Sequence, residues 1–210
     1  MARPADPAVR PALLEAAAAV LATEGLGALS VRRLAAEVGA STQAVYTHFD
    51  GKDDLVVAVV REAFARLAAE LDGVGQTDDP LADLAAMGDA YRRNALANRH
   101  LYRVMFGLNP LALSDPAVEF DPDAAVAPDP EAACGPPIGL EAFATLVRAV
   151  ARAVDAGRLV GDPAEVATTF WATAHGAVSL ELAGFLGEHG GATFDAALAA
   201  VSVAHLAPTP

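Results

Sequence analysis

The chain has 210 residues, enough for one or two domains with a buried core, and 54% of them are hydrophobic, mostly Ala, Leu and Val. Its single cysteine, Cys134, excludes an internal disulfide framework and a zinc site built from several cysteines. The formal net charge of −13 argues against a DNA-binding protein, because an acidic surface repels nucleic acid.

The acidity lies mostly in the second part of the chain. Residues 1–55 contain five Lys and Arg against seven Asp and Glu, whereas residues 56–210 contain nine against twenty. The longest stretches without a charged side chain, 166–180 and 196–210, have 15 residues each, which is too short for a good membrane span. The N-terminal sequence also lacks the hydrophobic core of a signal peptide, so we expect a cytoplasmic protein with no membrane partner.

The first 72 residues predict four helices in the order long, short, short, long. Apolar residues recur at three- and four-residue intervals in the first, and serines precede the two short ones as N-caps. The expected helices are 8–24, ended by Gly25; a two-turn helix after Ser30, closed by Gly39; a second short helix after Ser41; and a helix over 52–72 after the Asp50-Gly51 turn.

The remainder of the chain is also predicted to be helical. Asp162-Pro163 is typical of an N-cap followed by the first helical residue. Helices are expected near 79–98, 99–107, 140–156, 163–187 and 193–206. Residues 107–139 contain seven of the fourteen prolines, six acids and no Lys or Arg, which favours a solvated loop. With no internal repeat and no strand alternation, the fold class is all-α, with about nine helices.

The two short helices and the tight turn over residues 38–41 form the pattern of a helix-turn-helix. The inward side chains would be Val31, Leu34, Ala35, Val38, Ala44 and Val45. The side chains left facing away are Thr42, Gln43, Tyr46 and Thr47. Gln can pair with adenine and Thr can meet a thymine methyl group, while Tyr46, His48 and Lys52 can reach phosphates. The alternative for this segment is a polar, solvated helix pair without a partner.

The segment from Leu13 to Leu55 resembles the DNA-binding domain of TetR-family transcriptional repressors. The shared features are a helix ending in EGL, the run S-V-R-x-L-A-x-x-V-G, then V-Y-x-H-F and G-K-x-x-L. The resemblance implies that the third helix enters the major groove. The matching DNA-contact positions are Arg32, Ser41, Thr42, Gln43, Tyr46, Thr47, His48 and Lys52. Basic residues are scarcer here than in the family, so we expect few ionic phosphate contacts and a shallow salt dependence.

Residues 156–185 resemble the C-terminal domain of TetR-type regulators that carry a Trp-x-x-x-His-Gly signature. Here the signature is Trp171, His175 and Gly176. The resemblance implies a homodimer through the last two helices, about 163–187 and 193–206, which would form a four-helix bundle with a second subunit. It also implies a small-molecule pocket enclosed by the inner helices.

Candidate ligand-binding residues are the bulkiest side chains of the second domain and their neighbours around the signature. They are Met87, Tyr91, Tyr102, Met105, Phe106, Phe143, Phe170, Trp171, Ala174 and His175. Met and aromatic side chains line adaptable apolar pockets, but at helical spacing they also form ordinary core. A second set, Arg92, Arg93, Arg99 and Arg103, could pair with an acidic effector or form a salt-bridged surface.

No motif in the sequence predicts catalysis, a metal site or a bound cofactor. The glycines near Gly25 lack the third glycine of a dinucleotide fingerprint and follow a helix, and the chain has no G-x-S-x-G elbow. His48, His100, His189 and His205 have no partner at metal-ligand spacing. We therefore expect a protein that is not an enzyme.

We expect a helix-turn-helix DNA-binding domain over residues 1–55 and a helical effector-binding and dimerisation domain over residues 56–210. The predicted function is a ligand-responsive transcriptional regulator, a repressor that binds a palindromic double-stranded DNA operator as a dimer and is released by a small, largely apolar effector. Two alternatives remain: a helical small-molecule-binding or scaffold module without DNA binding, and an enzyme that uses His175 as an acid or base.

Overall fold

A computed structural model of the chain describes residues 8–107 and 139–208. Within those residues the fold is all-helical, as predicted, with nine α-helices and a single isolated β-bridge between Leu159 and Leu206. The helices are α1 (Val9–Glu24), α2 (Val31–Glu37), α3 (Thr42–His48), α4 (Lys52–Asp72), α5 (Pro80–Ala97), α6 (Arg99–Gly107), α7 (Leu140–Asp155), α8 (Pro163–Leu182) and α9 (Gly190–Ala204). Short 3-10 turns cover Leu26–Ala28 and Gly187–His189.

The described residues fall into two compact units. The first contains residues 8–64 and 100–107, and the second contains residues 65–99 and 139–208. Helix α4 contributes to both, because its residues up to Phe64 belong to the first unit and those from Ala65 onward to the second.

The first unit has a core of aliphatic side chains from α1, α2, α3 and the start of α4. Its fully buried members include Leu13, Leu14, Leu34, Val45, Leu55, Val56, Val59 and Val60. The two short helices begin where the sequence predicts. The Ser30 Oγ accepts a hydrogen bond from the backbone N–H of Arg33 at 3.2 Å, and the Ser41 Oγ accepts one from Ala44 at 3.1 Å. Gly39 takes φ +68° between them, a left-handed conformation that favours glycine.

The second unit packs α8 against α5, α7 and α9. Its central cluster of buried residues is Leu84, Val150, Ala153, Leu159, Val166, Ala167 and Phe170. Asp162 caps α8 as predicted, since its carboxylate accepts hydrogen bonds from the backbone N–H groups of Ala164 and Glu165 at 2.9 and 3.1 Å. The predicted N-cap and first helical proline are therefore confirmed.

A buried carboxylate fixes the segment that precedes α5. Asp83 accepts hydrogen bonds from the Thr77 backbone N–H at 3.0 Å and the Thr77 hydroxyl at 2.8 Å, and from Arg152 on α7 at 3.1 Å. The Thr77 backbone N–H, its hydroxyl and the Arg152 guanidinium lower the pKa of Asp83 below its ordinary value. The charged carboxylate therefore joins the loop before α5 to α7.

The bounds of the last two helices differ from the prediction. The helix expected over 163–187 ends at Leu182, because Gly184 takes φ +84° and the right-handed helix cannot pass through that conformation. The helix expected over 193–206 instead spans Gly190–Ala204. Glycine is a poor helix former, so the Gly190-Gly191 pair does not indicate a helix start in the sequence. Of the predicted loop over 107–139, residues 108–138 lie outside the described residues.

Candidate functional site

Helices α2 and α3 pack together through Leu34, Ala35 and Val45, which are buried. All eight residues predicted to contact DNA lie on α2, α3 and the first turn of α4 or cap them. Six of them are exposed: Arg32, Ser41, Thr42, Gln43, Tyr46 and Thr47. The other two, His48 and Lys52, are half-buried. The pair of capped helices therefore presents a polar surface of the kind that can enter a major groove.

The side chains on α3 differ in what they can offer a partner. Tyr46 is the largest of them and is 55% exposed. The Thr47 hydroxyl donates to the Gln43 backbone carbonyl at 2.9 Å, so it already has a partner within its own helix and leaves the Thr47 methyl group for apolar contact. Gln43 retains a side-chain amide with both donors and an acceptor, as base-edge recognition requires.

Charge on this surface is nearly balanced. The Arg33 guanidinium donates to both Glu24 oxygens, at 2.8 and 2.5 Å, and this hydrogen bonding raises the pKa of Arg33 and lowers that of Glu24. The first turn of α4 carries Asp53 and Asp54, and the Asp54 carboxylate accepts the Asp50 backbone N–H at 3.1 Å. The surface therefore carries few unneutralised cations.

The second unit contains a hydrogen-bonded set of polar side chains between α5 and α8. The Tyr91 hydroxyl lies 3.3 Å from His175 Nδ1, and the Ser179 hydroxyl lies 3.5 Å from His175 Nε2. Burial lowers the pKa of the His175 imidazole below its ordinary value, which favours the neutral ring. Beside this set, the rings of Phe143 and Trp171 lie 5.3 Å apart between centroids. Ser179 was not among the predicted residues, although its position one helical turn after His175 indicates that the two side chains are neighbours.

The remaining predicted ligand residues belong partly to the second unit and partly to the first. Met87 and Ala174 are buried in the second unit, and Phe170 belongs to its central core cluster. Tyr102, Met105 and Phe106 belong to the first unit, where the Phe106 ring packs against Tyr102 at 5.1 Å and Phe64 at 6.1 Å.

The four arginines predicted to pair with an acidic effector or to form a salt-bridged surface have different environments. Arg92 donates to Glu181 on α8 through two nitrogens, at 2.8 and 2.5 Å, whereas Arg93, Arg99 and Arg103 are exposed. This pair packs against the start of α9, where a Cβ atom on Gly190 would overlap the Glu181 side chain. The role of Glu181 is not evident from the sequence, because it depends on a contact between residues 89 positions apart.

Helices α8 and α9 expose a set of small and apolar residues, with the exposed carboxylates of Glu165 and Asp195 beside them. On α8 it contains Thr168, Ala172, Gly176 and Leu180, and on α9 Ala192, Ala196, Ala199 and Val203. We call these eight residues the α8–α9 face. The Thr168 hydroxyl donates to the Ala164 carbonyl at 2.8 Å, so Thr168 needs no water to satisfy its donor. Leu180 is 47% exposed, Val203 68% and the neighbouring Phe185 80%.

Neither a membrane-spanning helix nor a metal-binding cluster occurs in the described part of the chain. No helix there is both long and apolar enough to cross a bilayer, and no three His, Cys, Asp or Glu side chains are grouped to hold a metal ion.

Comparison with protein families gives two matches in separate parts of the chain. A family model described as "Bacterial regulatory proteins, tetR family" matches residues 13–59. One described as "Tetracyclin repressor-like, C-terminal domain" matches residues 84–201, more than half of the chain. No curated protein matches the chain.

Solved structures share the fold over nearly the whole chain. A protein of unknown function from Rhodococcus sp. RHA1 is 29% identical, with a TM-score of 0.73 over 99% of this chain and 100% of that one. A TetR family transcription regulator from Marinobacter aquaeolei VT8 is 20% identical, with a TM-score of 0.70 over 95% and 96% of the two chains. The TetR family regulator PfmR from Thermus thermophilus is also 20% identical, with a TM-score of 0.60 over 91% and 95%.

Together, the capped helix pair and the all-helical architecture place the protein in the helix-turn-helix class. The chain belongs to the TetR family of bacterial regulatory proteins, whose members regulate transcription by binding DNA. Members of this family are generally not enzymes.

Proposed function

We propose that the protein is a ligand-responsive transcriptional repressor that binds a palindromic operator as a homodimer and is released by a small, largely apolar effector. Residues 1–55 would bind DNA, and residues 56–210 would bind the effector and the second subunit. The observation that carries the proposal is the group of exposed polar side chains on α2 and α3. Both helices are capped at their N-termini by serine.

The DNA contacts would divide between base reading and backbone positioning. Thr42, Gln43 and Thr47 face outward on α3, where an amide and two threonine methyl groups suit adenine and thymine edges. Arg32, Ser41, Tyr46, His48 and Lys52 would contact phosphates. Two such surfaces would dock in successive major grooves about 34–36 Å apart.

The homodimer would form through the α8–α9 face. Exposed apolar side chains such as Leu180 and Val203 are unfavourable in water, and the small residues beside them allow two helices to approach closely. Because the Thr168 hydroxyl is bonded within its own helix, burying that side chain against a second copy would leave no donor unsatisfied.

The effector would contact the Tyr91–His175–Ser179 set and the aromatic rings beside it. A neutral imidazole next to Trp171 and Phe143 suits an uncharged, largely apolar molecule with one or two hydrogen-bonding groups. An effector that binds one subunit arrangement better than the other shifts the population away from the DNA-binding arrangement.

The DNA-binding proposal predicts a loss of operator affinity in Thr42→Ala and Tyr46→Ala. Each change removes one contact in each of the two half-sites, so even at about 1 kcal/mol per contact the affinity should fall at least roughly 30-fold. Both residues are exposed, so the free energy of unfolding should change by less than about 0.5 kcal/mol. The operator is first selected by wild-type protein from fragmented genomic DNA at two salt concentrations, then titrated with each variant.

Thr23→Ala serves as the matched control, because Thr23 is an exposed threonine at the end of α1 in the same unit. It should leave the affinity unchanged. If the wild-type protein retains DNA only weakly, without sequence preference and only at low salt, α3 does not read bases. The net charge of −13 would then favour a helical binding module without DNA recognition.

Trp171 is the only tryptophan in the chain, so its fluorescence reports on the proposed effector site. Uncharged apolar compounds that release the operator should also change the emission of Trp171. Tyr91→Phe, which removes the hydroxyl beside His175, should weaken such a compound about 5- to 10-fold, equivalent to one hydrogen bond. Compounds that release DNA without changing the emission, or that bind Tyr91→Phe equally well, would place the effector elsewhere.

A further inference from the structure

An arginine on α1 lies beside the carboxyl end of α3. The Arg10 guanidinium carbon is 5.6 Å from the centroid of the Phe49 ring, and Arg10 is exposed. Phe49 directly follows α3, is 3% exposed, and donates its backbone N–H to the Val45 carbonyl at 3.0 Å. The ring of His48 also packs against Phe49, at 6.3 Å between centroids. Arg10 and His48 therefore flank one fixed ring at the end of α3.

The Phe49 ring restricts where the Arg10 charge can lie. A guanidinium over an aromatic face is attracted to it, and the planar group retains its N–H donors around its edge. Because Phe49 is buried and joined to α3 by a backbone hydrogen bond, the charge of Arg10 has a defined position relative to α3. A cation already in place loses less rotamer freedom when it meets an anion.

Few other cations are available to this unit. Its described residues contain six Lys and Arg, including Arg103 on α6, and one of the six, Arg33, is neutralised by its pair with Glu24. The carboxyl end of α3 carries the negative end of its helix dipole, which repels a phosphate unless a cation offsets it. Arg10 is the arginine that packs at that end.

We propose that Arg10 is a further phosphate-contacting residue of the DNA-binding surface, positioned by the Phe49 ring. The contact with the DNA backbone would then extend from α2, α3 and α4 to α1. The inference rests on the proposed DNA-binding function. The competing role for Arg10 is a purely structural clamp between α1 and α3.

The salt dependence of DNA binding separates these two roles. The probe is the operator duplex that the wild-type protein selects from genomic DNA, titrated at several salt concentrations. A lost phosphate contact lowers the slope of log K against log salt by about 0.9 per contact, so Arg10→Gln should lower it by about 1.8 in a dimer with two half-sites. Its affinity should fall roughly 10-fold or more in low salt, while Arg10→Lys should retain most of the slope.

Arg61→Gln is the matched control, since it removes one exposed arginine of the same unit about 14 Å along α4 from Lys52. It should leave the slope unchanged. If Arg10→Gln lowers the melting temperature but keeps the wild-type slope, Arg10 is a clamp and the inference is wrong. If the wild-type protein selects no DNA at all, the proposed function is wrong and this inference is wrong with it. If the wild-type protein binds its operator but Arg10→Gln has the same salt slope as wild type, only the inference about Arg10 is wrong.

Discussion

Gly176→Arg is expected to convert the proposed dimer into monomers of 21.4 kDa and to weaken operator binding by at least about 100-fold. Gly176 lies in the middle of the α8–α9 face, where an arginine would place a long charged side chain between the two subunits. Operator affinity falls because two half-sites joined in one dimer bind far more tightly than two separate monomers. Light scattering after size-exclusion chromatography measures the mass, and titration of the operator duplex measures the affinity.

The same substitution should not harm the isolated subunit. A Cβ atom at Gly176 meets nothing within 4 Å, and glycine inside a helix is about 1 kcal/mol less favourable than alanine. Gly176→Ala should therefore remain dimeric, and Ala85→Arg, on an exposed position of α5, should also keep the wild-type mass. A dimeric Gly176→Arg variant would show that the subunits meet elsewhere.

Gly190→Ala is expected to lower the free energy of unfolding by roughly 1.5–3 kcal/mol, the range for hydrogen bonds to charged groups. Gly190 has ordinary helical dihedral angles, φ −52° and ψ −49°, so alanine fits its backbone. The added methyl group, however, overlaps the Glu181 side chain, which Arg92 holds through two hydrogen bonds. Either the ion pair must break or the start of α9 must move away from it.

Urea denaturation measures the loss of stability in Gly190→Ala. The protein concentration is kept fixed, because the stability of a dimer depends on concentration. Gly176→Ala is the matched control: it makes the same change at a helical glycine in open space and should stabilise the protein by up to about 1 kcal/mol. In a background of Glu181→Ala, the methyl group at Gly190 should cost little, since its steric partner is gone. A Gly190→Ala variant as stable as wild type would mean that the ion pair shifts without loss.

The sequence predicted the parts of the fold that are determined by neighbouring residues. Ser30, Ser41 and Asp162 each cap a helix through bonds to backbone groups two or three residues away. The start of α9 was not predictable in this way. It depends on Glu181 and Arg92, which come together only in the folded second unit, and the glycines that pack against them locally disfavour a helix.

The same distinction between local and long-range determinants applies to the predicted site residues. Outward positions on α3 follow from helical period alone, and Tyr46 and Gln43 are exposed as expected. The ligand residues were chosen for size, a property that does not reveal which side chains come together. Among them, Phe170 belongs to the core cluster of the second unit, Phe106 to the first unit and His175 to the second. Their contact with an effector stays a prediction.

The scarcity of cations on the first unit affects how copies of the protein distribute along the chromosome. Binding to random DNA is almost entirely electrostatic, so a surface whose Arg33 is neutralised by Glu24 should hold non-operator DNA weakly. A genome offers about a million or more non-operator sites that compete for the protein. Each of these sites binds fewer molecules when the non-specific electrostatic attraction is weak. In the proposed repressor, more copies would then remain free to find the operator, and a small number per cell would suffice to keep a promoter silent.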